Sequence, residues 1–90
     1  MQRSLEYYLD HTKRFHGWHS DAQLSKALDV APSTIHAWRN NNQRPSEKHI
    51  YMIAALSGLS PELVLLDLQA WKHEGTALGK AYSLILNIVA

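Results

Sequence analysis

Ser33, Thr34, His36, Ala37 and Arg39 alternate with Ile35 and Trp38, two apolar residues three apart. On a helix this spacing buries the apolar pair and leaves short polar side chains on the other faces. The chemistry open to such a face is hydrogen bonding, not bond making. Elsewhere, no paired carboxylates, Ser-His-Asp set or glycine-rich phosphate loop occurs. Asp10 and His11 fall on the first expected helix and Ser20 at the start of the second, without a supporting third group. The six histidines include His11, His16 and His19 close together, but there is no H-E-x-x-H spacing and no cysteine for a Cys–His set. The chain is therefore expected to be no enzyme and to carry no cofactor and no metal.

The elements that must position these residues all read as helices; nothing has the pattern of a strand and hairpin. A first helix over residues 4–14 has Ser4 as its cap and Leu5, Tyr8, Leu9 and Thr12 on one face. Gly17 ends it, with Phe15 and Trp18 expected against the core. Ser20 opens a second helix through a capping box with Gln23. Ala22, Leu24, Ala27 and Leu28 form its buried side. Asp29 stands where the backbone must turn left-handed, which Asp tolerates better than most residues. Val30 plugs the angle between helices. Pro32 starts a third helix, where its missing N–H costs nothing, and that helix runs to about Asn40. Asn40 to Gln43 form a polar loop closed by Arg44 and Pro45. Ser46 caps a fourth helix with Ile50, Ile53, Ala54 and Leu56 inward and Gly58 as its stop. Ser60 and Pro61 start a fifth, ending near Gly75, and Thr76 caps a sixth. The expected fold is all-α, a compact five- to six-helix domain. Residues 1–75 carry the functional helices, and residues 76–90 form an apolar helix that packs on the core, dimerises, or both.

Helices five and six are too apolar for ordinary surface helices. Leu63, Leu66 and Ala70 make one stripe of the fifth; Val64, Leu68 and Trp71 make another. In the sixth, Leu78, Tyr82, Ile85 and Val89 share one face and Ala81, Leu84 and Ile88 a second. A helix apolar on two sides is deeply buried or shared with a partner. Ninety residues offer few deep places. A dimer interface is expected at Trp71, Leu78, Tyr82, Leu84, Ile85 and Ile88.

Charge is modest, at a formal +1. Residues 1–49 hold seven basic against five acidic side chains, and residues 50–90 hold two against three. No acid lies between Val30 and Ser46, so a local basic, amide-rich surface is expected there. The absence of cysteine fits a reducing cytoplasm. The amino-terminal stretch lacks the apolar core of a signal peptide, and the apolar run near the end is too short to span a bilayer. No membrane association and no small-molecule effector are expected.

Two short helices joined by a tight, steep turn present the second outward, in a form that fits the major groove of B-DNA. Leu24, Leu28, Val30, Ile35, Trp38, Arg39 and Pro45 stand in the register of a known pattern. Residues 20–59 resemble the helix-turn-helix of the Cro and phage-repressor class, the lambda-repressor-like domains. Asp29 replaces the usual glycine of the turn, and Asn42 sits near the glycine that follows the second helix. More narrowly, the chain is similar to small regulators of filamentous phages and prophages. The resemblance implies that Ser33, Thr34 and Ala37 face bases, with Pro32 shaping the approach and His36 and Arg39 flanking. It implies phosphate contacts from Ser20, Asp21, Gln23, Asn40, Asn41, Asn42, Arg44, Ser46 and Lys48.

The resulting expectation is a homodimeric, sequence-specific regulator of transcription, of the phage or prophage repressor kind. It would act in a bacterial cytoplasm on double-stranded DNA, on half-sites roughly 34 Å apart. Two alternatives come from other classes. One is a protein-interaction adaptor, anti-repressor-like or antitoxin-like, that uses the last two helices. The other is an excision factor that bends DNA. Arg39 has a further alternative, a pair with Glu47.

Overall fold

The computed structural model describes residues 3–90, and its order of elements is six helices with no strand among those residues. They are α1 (Leu5–His16), α2 (Asp21–Ala27), α3 (Pro32–Arg39), α4 (Glu47–Leu56), α5 (Pro61–Lys72) and α6 (Ala77–Val89). Helix α1 braces α2, α3 and α4; α4 leans on α5; α5 carries α6. Among the described residues, no helix is long and apolar enough to cross a membrane.

Local sequence explains where most helices start. The hydroxyls of Ser4, Ser20, Ser46 and Thr76 each accept from a backbone N–H three residues on, satisfying one orphan donor of the first turn. Gln23 completes its box one residue early, accepting from the N–H of His19 at 2.7 Å rather than from that of Ser20. Ser60 differs, because its hydroxyl donates to Glu62 and makes no capping bond to the backbone. Pro61 still starts α5, and α5 ends at Lys72, before the expected Gly75.

The core gathers Leu5, Tyr8, Leu9, Leu24, Leu28, Ile35, Trp38, Ile50, Ile53, Ala54, Val64 and Leu68. All four residues expected inward on α1 are buried. Two expectations fail. Ala22 is exposed, and Ser25 takes the buried place on α2, its hydroxyl donating to the Ala22 carbonyl at 2.8 Å. Phe15 is 61% exposed. It lies across Gly58 instead, so close that a Cβ there would collide with its ring. Gly58 also has φ 76°, so it both ends α4 and seats Phe15.

Asp67 of α5 is buried among apolar neighbours. Its Oδ2 accepts from the Tyr8 hydroxyl and, at 2.9 Å, from the backbone N–H of Arg3. Burial, and then this carboxylate, push the Tyr8 phenol well above its ordinary range. The pair ties the start of the chain to α5. Two histidines tie the other end of α1 down: His11 Nδ1 meets the Ser57 carbonyl at 2.9 Å, and His16 Nε2 meets that of Leu56 at 2.7 Å. These carbonyls at the end of α4 need donors, and the imidazoles supply them.

Candidate nucleic-acid interface

Residues 28–31 connect α2 to α3. Asp29 is left-handed at φ 55°, as its position requires. Its N–H donates to the Lys26 carbonyl at 3.2 Å, and the N–H of Val30 donates to that of Ser25 at 3.0 Å. These two bonds form a Schellman motif, which closes α2 and swings the chain into α3. The end of α3 repeats the device. Asn41, not Asn42, is left-handed, at φ 60°. Its N–H reaches the Trp38 carbonyl at 3.3 Å, and that of Asn42 reaches Ala37 at 3.0 Å. The left-handed residue after α3 is therefore Asn41, next to the Asn42 expected near it.

Helix α3 turns Ile35 and Trp38 wholly inward. Pro32, Ser33, His36 and Asn40 are exposed, while Thr34 and Ala37 are half-buried. Ser33, His36, Ala37 and Asn40 thus form the outward side, and Thr34 lies on its flank. Asn40 Nδ2 sits 2.9 Å from His36 Nε2, pairing two side chains one turn apart.

Arg39 does not join that face. Its side chain is only 15% exposed and points back at α1 and α2. Its Nε and Nη2 donate to both oxygens of Asp21 at 2.9 Å. Nη2 also reaches Asp10 at 2.9 Å, and Nη1 reaches Glu6 at 3.3 Å. Lys13 adds a 3.0 Å bond to Asp21. Hydrogen bonds from Arg39 hold the Asp21 carboxyl below its usual range, and Asp21 in turn raises the guanidinium. The assignments of Arg39 to bases and Asp21 to phosphate are both corrected: the pair clamps three helices together. Glu47, the alternative partner of Arg39, instead meets Gln69, Lys72 at 3.2 Å and His73 at 3.9 Å. The amide of Gln69 is the main cause of the lowered Glu47 carboxyl.

Arg44 is also withdrawn. It lies over the Trp71 ring at 4.9 Å and donates to the carbonyls of Trp71, at 2.9 Å, and Lys72. It caps the end of α5 rather than facing phosphate, although the cap leaves the residue exposed at the surface. Ser20, Gln23 and Ser46 are exposed but spend their oxygens on helix starts. Asn40, Asn41, Asn42 and Lys48 remain exposed. Toward solvent the acid-free segment is mainly amide-rich: Arg39 is turned into its acidic cluster, and Arg44 is exposed but bonded to the end of α5. Lys26 was missed. It is exposed in the last turn of α2 beside the turn, and among the described residues neither it nor Lys48 is in an ion pair. No cluster of three or more His, Asp or Glu among the described residues is arranged to hold a metal.

Of the expected interface residues, Leu78, Leu84, Ile85 and Ile88 are exposed. Trp71 is half-buried under Arg44, and Tyr82 is half-buried with its ring stacked on His73. Tyr82 belongs to the α5–α6 junction, whereas Trp71 packs against the core.

No family model, curated protein or solved structure matches this chain.

Proposed function

We propose that this protein is a sequence-specific double-stranded-DNA-binding regulator of transcription, acting as two copies on a near-palindromic operator, in the manner of a phage or prophage repressor. The observation that carries the reading is the outward side of α3. Ser33, His36, Ala37 and Asn40 line the outward side of a helix whose other side is fixed by Ile35, Trp38 and the Arg39 clamp. Short side chains let a backbone come close to base edges. Ser donates or accepts, alanine meets a thymine methyl, and His and Asn offer both donor and acceptor. Lys26, Lys48 and the asparagine loop would set register against phosphates. Such a protein would work in a bacterial cytoplasm, on the nucleoid.

The test is selection of duplexes from a random pool, followed by fluorescence anisotropy on the enriched sequence. A preference that His36→Ala and Ser33→Ala weaken is expected. Equal binding to all sequences at every salt concentration would overturn the reading.

One observation favours a second reading, the protein-interaction adaptor: both arginines of the acid-free segment are engaged internally while α6 offers an apolar face. A chain that stays monomeric alone and forms a stable complex with a different protein would support it.

A further inference from the structure

Helix α6 packs on α5 through one narrow stripe. Gly79 and Leu86 are buried and Ser83 is half-buried, at spacings of four and three. Gly79 makes the approach possible, since a Cβ there would run into the His73 carbonyl. This settles the rotation of α6 about its axis. The two apolar faces legible in the sequence both turn mainly away from α5. Leu78 is 50% exposed, Leu84 56%, Ile85 44%, Ile88 81% and Val89 54%.

Leu78, Ala81, Ile85 and Ile88 recur at three, four and three. That is the a/d spacing of a coiled-coil seam, and Leu84 and Val89 flank it. The helix holds no acid and a single cation, Lys80. Such a face is complementary to itself and offers nothing to a charged partner.

We infer that the seam Leu78–Ala81–Ile85–Ile88 packs against the same seam of a second copy, antiparallel, about a two-fold axis passing between Ala81 and Ile85. Orientation follows from charge. A parallel pair aligns the two helix dipoles and brings Lys80 beside its counterpart. The antiparallel pair opposes the dipoles and moves each Lys80 toward the carboxyl end of the other helix. Ala81 then faces Ile85 of the second copy, small against large, and Leu78 faces Ile88. A helix of 13 residues is about 20 Å long. Pairing two buries on the order of 1,000 Å², the lower bound for a specific interface. The dimer is therefore reversible and concentration-dependent. This inference deepens the two-copy element of the proposed function, but its test needs no DNA, so the two fail separately.

Sedimentation velocity of the full chain should give the mass of one copy at low micromolar concentration, rising to two toward millimolar. Ile88→Asp and Ile85→Asp should hold it at one copy while circular dichroism still reports a cooperative melt. The chain has no cysteine, so introduced thiols report geometry cleanly in an oxidised-glutathione buffer. A mixture of Ala81→Cys and Ile85→Cys chains should form the mixed disulfide several-fold faster than either variant forms its own. Self-linking of Ala81→Cys at the faster rate would overturn the orientation. A monomer at every concentration, or an unchanged dimer in Ile88→Asp, would overturn the interface.

Discussion

Arg39 and Trp38 are neighbours in sequence with expected fates that differed, and the fold gives them the same one. Trp38→Ala removes a buried ring and should cost about 3–5 kcal/mol. Arg39→Ala leaves Asp21, Asp10 and Glu6 without their shared cation. These carboxylates are 38–61% exposed, so solvent screens much of the loss. The expected cost is about 1–2 kcal/mol, against less than about 0.5 kcal/mol for Ser33→Ala or His36→Ala on the open face. Urea unfolding of the four variants checks the ranking. Asp21 adds a pH signature. Its folded carboxyl lies below the ordinary 3.8, so it contributes stability above that pH. The contribution fades as pH falls from there through the folded value, because the unfolded chain binds the proton first. Asp21→Asn should therefore narrow the stability gap between pH 6 and pH 3, to about 1 kcal/mol less than in the parent, as read from urea midpoints. The clamp was partly visible in the sequence. Glu6, Asp10 and Lys13 share a face of α1, but which cation of α3 meets them depends on how α3 rotates, and the short polar face of α3 left that open.

At the scale of elements, the helix starts were legible because capping is local: a hydroxyl and an N–H three residues on need no tertiary contact. The left-handed turn at Asp29 was legible for the same reason. The second one was legible only to within a residue because three consecutive asparagines offer the same chemistry, and only the hydrogen bonds from Asn41 and Asn42 to Trp38 and Ala37 choose between them. Both turns carry side chains where glycine has no Cβ penalty. Asp29→Gly and Asn41→Gly should each stabilise, by about 0.5–1 kcal/mol, because the relief exceeds the extra chain entropy that glycine loses on folding. Asp29→Val should destabilise by more than about 1 kcal/mol. Thermal melts of the three variants test whether these turns hold the α2–α3 pair. Asn42→Gly, at a residue without positive φ, serves as the control and should not stabilise.

For the whole molecule, the faces of α5 and α6 were the least legible. Apolar residues cover most of α6, so periodicity alone did not say which side meets α5. A single small residue, Gly79, decides it by permitting contact with His73. The same arrangement bears on DNA affinity. With Arg39 in its acidic cluster and Arg44 bonded to the end of α5, the exposed Lys26 and Lys48 are the cations proposed to meet phosphate, so one copy has about 2 phosphate contacts to offer through charge. The logarithm of the binding constant should fall with the logarithm of salt concentration at a slope of about −0.9 per phosphate neutralised. Two copies then predict a slope of roughly −3 to −4, shallow for a specific DNA-binding dimer. Anisotropy titrations on a selected duplex, from low to moderate salt, give that slope directly. Lys26→Ala or Lys48→Ala should each lower its magnitude by about 2 per dimer, while Arg44→Ala should leave it unchanged. A slope near −7 would mean that the two arginines also leave their internal partners on binding, and the clamp on α3 would then be a feature of the free protein alone.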